Sequence, residues 1–365
     1  MYSLDHSFNP SVNVAMSSKY RKGLWAVPLL LLSGCNTLLM NASGDVARQQ
    51  GHLVVVSTML MLLIIVPVIA LTIWFAWRYR ASNTEAKYEP DWDHSTGLEL
   101  VIWGAPLLII IALGLVTWIS THLLDPYRPL QRLDADRKIA ADVKPLNVEV
   151  VALDWKWLFI YPDQGIATVN ELVAPVDVPI NFKITASTVM NSLYIPALAG
   201  QIYAMPGMET SLHAVINQPG DYAGFSANYS GAGFSGMHFV FHGVNNEAFS
   251  KWVDTTKAGG GDLQRADYLQ LVKPSVNEPV HRYGTVASDL YYAIVNRCVE
   301  RSAVCISQMM AEEGPRASKI IAEQGAHKVF DIPQADLCIA PGSANSFAAN
   351  LASPIIETKK HVQSN

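Results

Sequence analysis

Two long stretches without a charged residue limit most strongly what this chain can fold into. Leu53–Trp77 and Leu100–Leu124 each run for about 25 residues, which as helices would reach roughly 37 Å and cross a ~30 Å hydrocarbon core with some tilt. Charged residues make up 16% of the chain, against about 25% in an ordinary soluble domain. We therefore predict a hairpin of two transmembrane helices within residues 35–125.

The segment before the first predicted span is typical of a bacterial lipoprotein signal. Basic residues at positions 19–22 precede the apolar stretch Leu24–Leu32, which is too short to cross a membrane. A Leu-Ser-Gly-Cys motif then ends at Cys35. We predict that residues 1–34 are a signal peptide and that Cys35 becomes the lipidated N-terminus. The alternative is an ordinary signal cleaved nearby, with Cys35 incidental.

The flanking charges predict the orientation of the hairpin. Lipidation would place Cys35 outside the cytoplasm, so the first span would run inward. Arg78 and Arg80 follow that span directly, in agreement with the positive-inside rule. The loop 78–98 is therefore expected in the cytoplasm, and everything from Asp125 onward in the periplasm.

The sequence pattern of residues 126–253 is typical of an external β domain. Short apolar stretches alternate with Gly, Pro, Asn and Ser, and a turn is evident at 218–221. Many short strands at this spacing predict a β-sandwich. The segments predicted as strands are Val148–Leu153, Ile180–Ile184, Ser211–Ile216 and His238–Phe241.

The chain beyond this domain is expected to be helical and then irregular. Gly259–Gly261 has the composition of a linker. Within 262–300, Leu263–Leu271 and Ser288–Val299 carry apolar residues at helical intervals. The extension 301–365 is rich in Ala, Ser and Pro towards its end, and we expect it to be poorly ordered.

Several segments, in this order, resemble subunit II of haem–copper oxidases. Phe75–Asn83, Asp154–Pro162 and Asn228–Met237 are similar to the ubiquinol oxidase branch, of cytochrome bo type. Asp262–Arg297 resembles the aromatic-rich arm of those subunits. The resemblance implies a membrane-anchored fold: a two-helix transmembrane hairpin, a cupredoxin-like β-sandwich and a helical C-terminal arm.

The residues at the copper-ligand positions indicate which branch of this family the chain resembles. The cytochrome c branch holds a binuclear copper centre with two thiolates, two imidazoles and a thioether, which are ligands that suit copper. Its first histidine falls here on Asn191. Its Cys-x-x-x-Cys-x-x-x-His-x-x-Met cluster falls on Tyr229, Gly233, Met237 and Val240. The resemblance therefore implies no metal in this subunit, and electrons taken from a membrane quinol.

Other residues that suggest a site have a plainer interpretation. His238 and His242 would point to one side of a strand but roughly 13 Å apart, too far to share an ion. The aromatic residues of Trp155–Tyr161 alternate along one predicted strand. Packing is the favoured role for them, and electron acceptance, as in the cytochrome c branch, is the alternative.

Glu99 is the strongest functional candidate in the chain. It stands at the cytoplasmic start of the second predicted span. Such an acid is usually a solvated flank, although boundary carboxylates also mark proton paths. In the resembling family the glutamate at this place lies at the mouth of the K proton pathway of subunit I. The resemblance thus implies that Glu99 admits protons.

Three cysteines lie beyond the external domain. If Cys298 and Cys305 share one helix, seven residues separate them by about 10.5 Å, which is beyond disulfide reach. Either could pair with Cys338 if the end of the chain folds back.

The resemblance implies a subunit without catalytic residues or cofactors of its own. The complex would oxidise ubiquinol and reduce oxygen to water, coupled to proton translocation, with the haems and copper in subunit I. The expected partners are subunit I, further small membrane subunits and lipid of the inner membrane. A net charge of −5 gives no reason to expect nucleic acid. Two alternatives stay open: a cytochrome c oxidase subunit II, and a membrane-tethered binding lipoprotein without an oxidase partner.

Overall fold

A computed structural model describes residues 40–87, 89–140 and 143–312. The predicted signal peptide, Cys35, Cys338 and most of the C-terminal extension lie outside these residues. The helices and strands described below all belong to one compact unit that ends at Cys305.

Two long apolar helices form the N-terminal part of this unit. Helix α1 spans Asp45–Arg78 and helix α2 spans Thr96–Leu123. Both are long and apolar enough to cross a membrane, which confirms the predicted hairpin. Helix α1 begins well before the predicted Leu53, because its first turns pack against the external domain and bury Val46 and Ala47.

Twelve strands form the two sheets of a β-sandwich, as predicted. The larger sheet has the order β11-β12-β3-β2-β1-β5-β8, and the smaller has the order β4-β10-β9-β6-β7. The strands are β1 Leu146–Leu153, β2 Lys156–Tyr161, β3 Ile166–Val169, β4 Glu171–Pro175, β5 Ile180–Ala186, β6 Asn191–Tyr194, β7 Ile202–Ala204, β8 Thr210–Ala214, β9 Gly220–Ser226, β10 His238–Val244, β11 Gly261–Leu263 and β12 His281–Val286.

Strand β2 is buried on both faces because two separate cores meet on it. Trp157, Phe159 and Tyr161 point between the two sheets, as the predicted alternation requires. Leu158 and Ile160 point the other way, into a second core under the C-terminal arm. All six residues of β2 are therefore buried.

The C-terminal arm is part of the sandwich, so the prediction of a linker at Gly259–Gly261 is wrong. Helix α3, Asn246–Gly259, runs directly into β11, which pairs with β12. A Cβ built on Gly260 would overlap the backbone of Gly284, so this glycine permits a close approach of two chain segments.

The predicted arm helices are confirmed in shorter form, with an unpredicted strand between them. Helix α4 spans Arg265–Leu271 and helix α5 spans Leu290–Val295. Strand β12 lies between these helices and pairs antiparallel with β3, so it extends the larger sheet. Its fold depends on a partner more than 100 residues away in sequence, which local periodicity does not reveal.

The end of the arm is closed by a disulfide between Cys298 and Cys305, whose Cα atoms lie 4.8 Å apart. The two cysteines do not share a helix, so the condition that would have placed them beyond disulfide reach is not met. Helix α5 ends at Val295, and Arg297 takes a positive φ of 55°. The chain therefore turns back on itself, where a helix would have kept the two sulfurs apart.

A set of polar contacts fixes the start of α1 on the sandwich. The Gly44 amide donates to the carbonyl of Ala197 at 2.8 Å. The Asp45 carboxylate, almost fully buried, accepts from Arg132 Nε at 2.9 Å and from Gln49 Nε2 at 2.7 Å. The membrane helix and the external domain are therefore joined by direct contacts at this point.

Candidate functional site

The residues at the copper positions gather at one end of the sandwich, which we call the loop pole. It consists of the turn 154–155, the segment 189–192 and the loop 227–237. Backbone and side-chain hydrogen bonds join these segments: the Ala227 amide donates to the Ser192 carbonyl at 2.9 Å, and Asn228 Nδ2 donates to the Met190 carbonyl at 3.1 Å. The structure thus places Asn191, Tyr229, Gly233 and Met237 at this pole, whereas Val240, the last position of the second cluster, lies on β10.

Trp155 covers the glycine-rich loop of this pole. It lies in the turn between β1 and β2 with a positive φ of 67°, and its Nε1 donates to the Ser230 carbonyl at 3.0 Å. A Cβ built on Gly233 would overlap its indole ring. A cysteine at the Gly233 position therefore does not fit beside Trp155 as it stands.

The other copper positions are likewise occupied by groups with roles in the fold. Asn191 is 1% exposed; its Nδ2 donates to the Val189 carbonyl at 3.2 Å and its Oδ1 accepts from Ser226 Oγ at 3.1 Å. Met237 is buried in the core between the sheets, whereas Tyr229 is 75% exposed.

These side chains do not fit a binuclear copper centre. The thioether of Met237 is the one soft donor at the four positions, and the two bridging thiolates are replaced by a phenol and a glycine. Among the described residues, no cluster of three or more His, Cys, Asp or Glu side chains could hold a metal ion.

His238 and His242 each have a separate partner on the surface of β10. The ring of His238 bonds through Nε2 to the Ser235 carbonyl at 2.8 Å. His242 Nδ1 lies 2.6 Å from Asp221 Oδ1, and its Nε2 lies 3.9 Å from Glu171. The two histidines therefore act in different contacts.

Glu99 lies in the first turn of α2, at the end of the hairpin away from the sandwich. Its side chain is 50% exposed, and its Oε1 lies 2.8 Å from Nδ1 of His94. Nε2 of His94 is 3.1 Å from Oγ1 of Thr96. The start of a helix also favours a negative charge. We call the group formed by His94, Thr96 and Glu99 the hairpin-end site.

The hairpin-end site combines two kinds of group that can exchange protons. An imidazole titrates in the physiological range, and a carboxylate beside it can pass protons to and from water. Sequence reasoning identified Glu99 but not its partner His94. The sequence does hold a signal for this pair: His94 and Glu99 are both titratable, lie five positions apart and directly precede the second predicted span.

Comparison with known proteins identifies both halves of the external region. Residues 163–244 match the family described as cytochrome c oxidase subunit II, periplasmic domain. Residues 257–302 match the family described as the COX aromatic-rich motif.

Relatives with functional names match most of the chain. Cytochrome bo(3) ubiquinol oxidase subunit 2 of Pseudomonas putida is 52% identical over 269 residues, which cover 74% of this chain and 83% of the relative. Ubiquinol oxidase subunit 2 of Acetobacter aceti is 48% identical, over 73% of this chain and 84% of the relative. Among solved structures, the periplasmic domain of subunit II of the Bradyrhizobium japonicum cytochrome oxidase is 24% identical, over 33% of this chain and 96% of that domain, with a TM-score of 0.31.

Proposed function

The chain belongs to the family of subunit 2 of ubiquinol oxidases, and from that premise we propose that it is a non-catalytic subunit that scaffolds subunit I and admits protons at Glu99. It is a membrane protein with two apolar helices and a periplasmic-type domain. In this proposal the helices pack on subunit I and further small membrane subunits, and the sandwich covers the outer face of the complex.

The observation that carries the proposal is the loop pole closed by Trp155. A domain whose bridging positions hold Tyr229 and Gly233 has no thiolates to retain a copper pair that could receive electrons from cytochrome c. Ubiquinol, the substrate in the relatives' names, is therefore the proposed electron donor of the complex. The haems and the copper that reduce oxygen are assigned to subunit I.

The proposed proton role of Glu99 rests on its exposure and on its partner His94. The carboxylate is open to water on the side of the hairpin away from the sandwich. With the sandwich in the periplasm, that side is the cytoplasmic one, from which a proton-translocating oxidase takes protons. Arg78 and Arg80, in the same loop, support this orientation.

We also propose that the mature chain begins at a lipidated Cys35 in the inner membrane. The support is the Leu-Ser-Gly-Cys motif that ends at Cys35, after the basic residues and the apolar stretch typical of a signal peptide. Mass spectrometry of the mature chain is expected to give the mass of a protein that starts at Cys35 and carries acyl groups. A mature chain that retains unmodified residues 16–34 would contradict it.

The test of the main proposal is the metal content and the electron donor of the assembled oxidase. We expect copper equal to that of the oxygen site alone, and oxygen consumption that is driven by ubiquinol and not by reduced cytochrome c. Two additional coppers per complex, with near-infrared absorption and cytochrome c oxidation, would overturn the proposal.

A further inference from the structure

We propose that this subunit binds a phospholipid with a zwitterionic headgroup at the periplasmic end of its helix hairpin. The site has two connected parts. An apolar cleft of about 340 Å³ lies between α1 and α2. A more polar pocket, also of about 340 Å³, continues it towards the sandwich, and the two share Gln49, Leu123 and Leu124 as lining residues.

The cleft has the chemistry of an acyl-chain site. Its walls are mostly aliphatic, with Leu53 and Val56 on α1 facing Val116 and Ile119 on α2. Leu53 is also where the uncharged stretch of α1 begins, so the cleft lies in the outermost part of the membrane-spanning segment. A void beside these aliphatic side chains forfeits dispersion contacts unless hydrocarbon fills it. The polar lining residues are Gln49, His52 and Ser120.

The pocket lies where the headgroup of such a lipid would be. Helix α2 ends at Leu123, and the following segment supplies Asp125 and Arg128 to the pocket wall. Gln50 of α1, whose side chain lies beside Gly200 of the sandwich, and His213 of β8 also line the pocket. The apolar cleft and the polar pocket thus follow each other in the order of the acyl chain and the headgroup of an outer-leaflet lipid.

Some charges of the pocket are already neutralised by the fold. Arg132 is paired with the buried Asp45. Burial lowers the pKa of His213, which favours its neutral form, and its Nδ1 lies 2.7 Å from Asn181 Oδ1. These groups therefore contribute polarity but little net charge.

Arg128 and Asp125 are the charges left for a ligand. Arg128 makes a 3.4 Å hydrogen bond to the His122 carbonyl, and among the described residues it has no acidic partner within ion-pair distance. Asp125 accepts from the Tyr127 amide at 3.0 Å and likewise has no basic partner in the described part of the chain. An exposed cation and anion that do not pair with each other complement a phosphate and an ammonium group in one headgroup.

The experiment counts lipids on the assembled oxidase by native mass spectrometry after mild delipidation. Val116→Trp fills the cleft from α2. Leu115→Trp is the matched control, because the neighbouring Leu115 is 58% exposed and does not line the cleft. The complexes are then re-lipidated with phosphatidylethanolamine or phosphatidylglycerol.

The expected result is one phosphatidylethanolamine retained by the wild type and by Leu115→Trp, and lost from Val116→Trp. Arg128→Gln should weaken retention about tenfold, the effect of one charge-assisted contact, whereas the charge-matched Arg301→Gln should not. If Val116→Trp fails to assemble, the surface variant Arg128→Gln decides the question.

Three results would overturn the proposal. The first is equal lipid retention by Val116→Trp and Leu115→Trp, as expected if subunit I fills the cleft. The second is retained ubiquinone in place of phospholipid. The third is equal retention of phosphatidylglycerol, since that lipid has no ammonium group for Asp125.

Discussion

The loop pole and the hairpin-end site differ in how their polar groups are satisfied. At the loop pole, Asn191 is buried and bonded within the fold, and Trp155 covers the loop where metal ligands would lie. At the hairpin end, Glu99 is half-exposed and its partner His94 is 63% exposed. The first region is closed to a ligand and the second is open to water. The groups of the loop pole are thus engaged within the fold, while a carboxylate and an imidazole stay accessible at the end of the hairpin.

The largest expected effect comes from forcing a side chain into the closed pole. Gly233→Ala should destabilise the domain by about 1–3 kcal/mol, because its Cβ would overlap the Trp155 ring. The backbone of Gly233, with φ −91°, accepts alanine, so the cost comes from the contact alone. Chemical denaturation measures it.

Gly261→Ala is the matched control for that variant, since a Cβ at Gly261 meets nothing within 4 Å. Equal stability of the two variants would show that the pole has room for a ligand, and the comparison would fail.

The second prediction concerns the open site. Glu99→Ala should lower quinol-driven oxygen consumption roughly tenfold with assembly intact, because it removes the group that exchanges protons. Glu99→Asp should lower the rate less, since it keeps the carboxylate and withdraws it by only one methylene. The rate is normalised to haem content.

The control for Glu99 is Glu89→Ala, which removes an acid from the same loop that is ion-paired with Lys87. If a well-assembled Glu99→Ala complex turns over at the wild-type rate, Glu99 is only a solvated residue at the helix start and has no role in proton uptake.

A smaller effect is expected from Asn191→Ala. It deletes the hydrogen bonds to the Val189 carbonyl and from Ser226 Oγ, at a cost of about 1 kcal/mol. The loss is limited because Ser226 Oγ also reaches the Asn228 carbonyl at 3.2 Å. Thermal unfolding measures the loss. Equal stability of Asn191→Ala and the wild type would indicate that the Asn191 carboxamide does not stabilise the fold and is free to bind a ligand.

The smallest effect concerns the half-buried carboxylate of Glu149, compared with the exposed ones. Burial raises the pKa of Glu149 from 4.5 to about 7, helped by Glu209 and opposed by Lys183. The folded state therefore binds this proton more tightly than the unfolded state, and its contribution to stability is lost as pH rises from 4.5 to 7. Allowing for partial solvent screening, we expect a contribution below about 1 kcal/mol.

Glu149→Gln should flatten the dependence of stability on pH in this window. Glu89→Gln, which removes an exposed acid, is the control and should leave that dependence unchanged. Parallel pH profiles for the wild type and Glu149→Gln would show that the sandwich does not hold this carboxyl in a buried state.

The sequence by itself determined the hairpin and the sandwich. Hydrocarbon demands about 20 apolar residues in a row for each helix, and Leu53–Trp77 and Leu100–Leu124 meet that demand without reference to any other part of the chain. The alternation in Trp155–Tyr161 likewise predicted which side chains of β2 face the core, because side-chain direction along a strand is local. Glu99 was identified by its position relative to a span.

Tertiary structure alone decided how the distant segments close on one another. Strand β12 forms because β3 offers it an edge, and Arg282 then reaches Glu171 with two hydrogen bonds of 2.7 and 2.6 Å. The Cys298–Cys305 disulfide depends on where α5 ends. The indole of Trp155 reaches Gly233 only once two loops from different sheets meet. These outcomes depend on contacts between residues remote in sequence, whose geometry no local period or composition encodes.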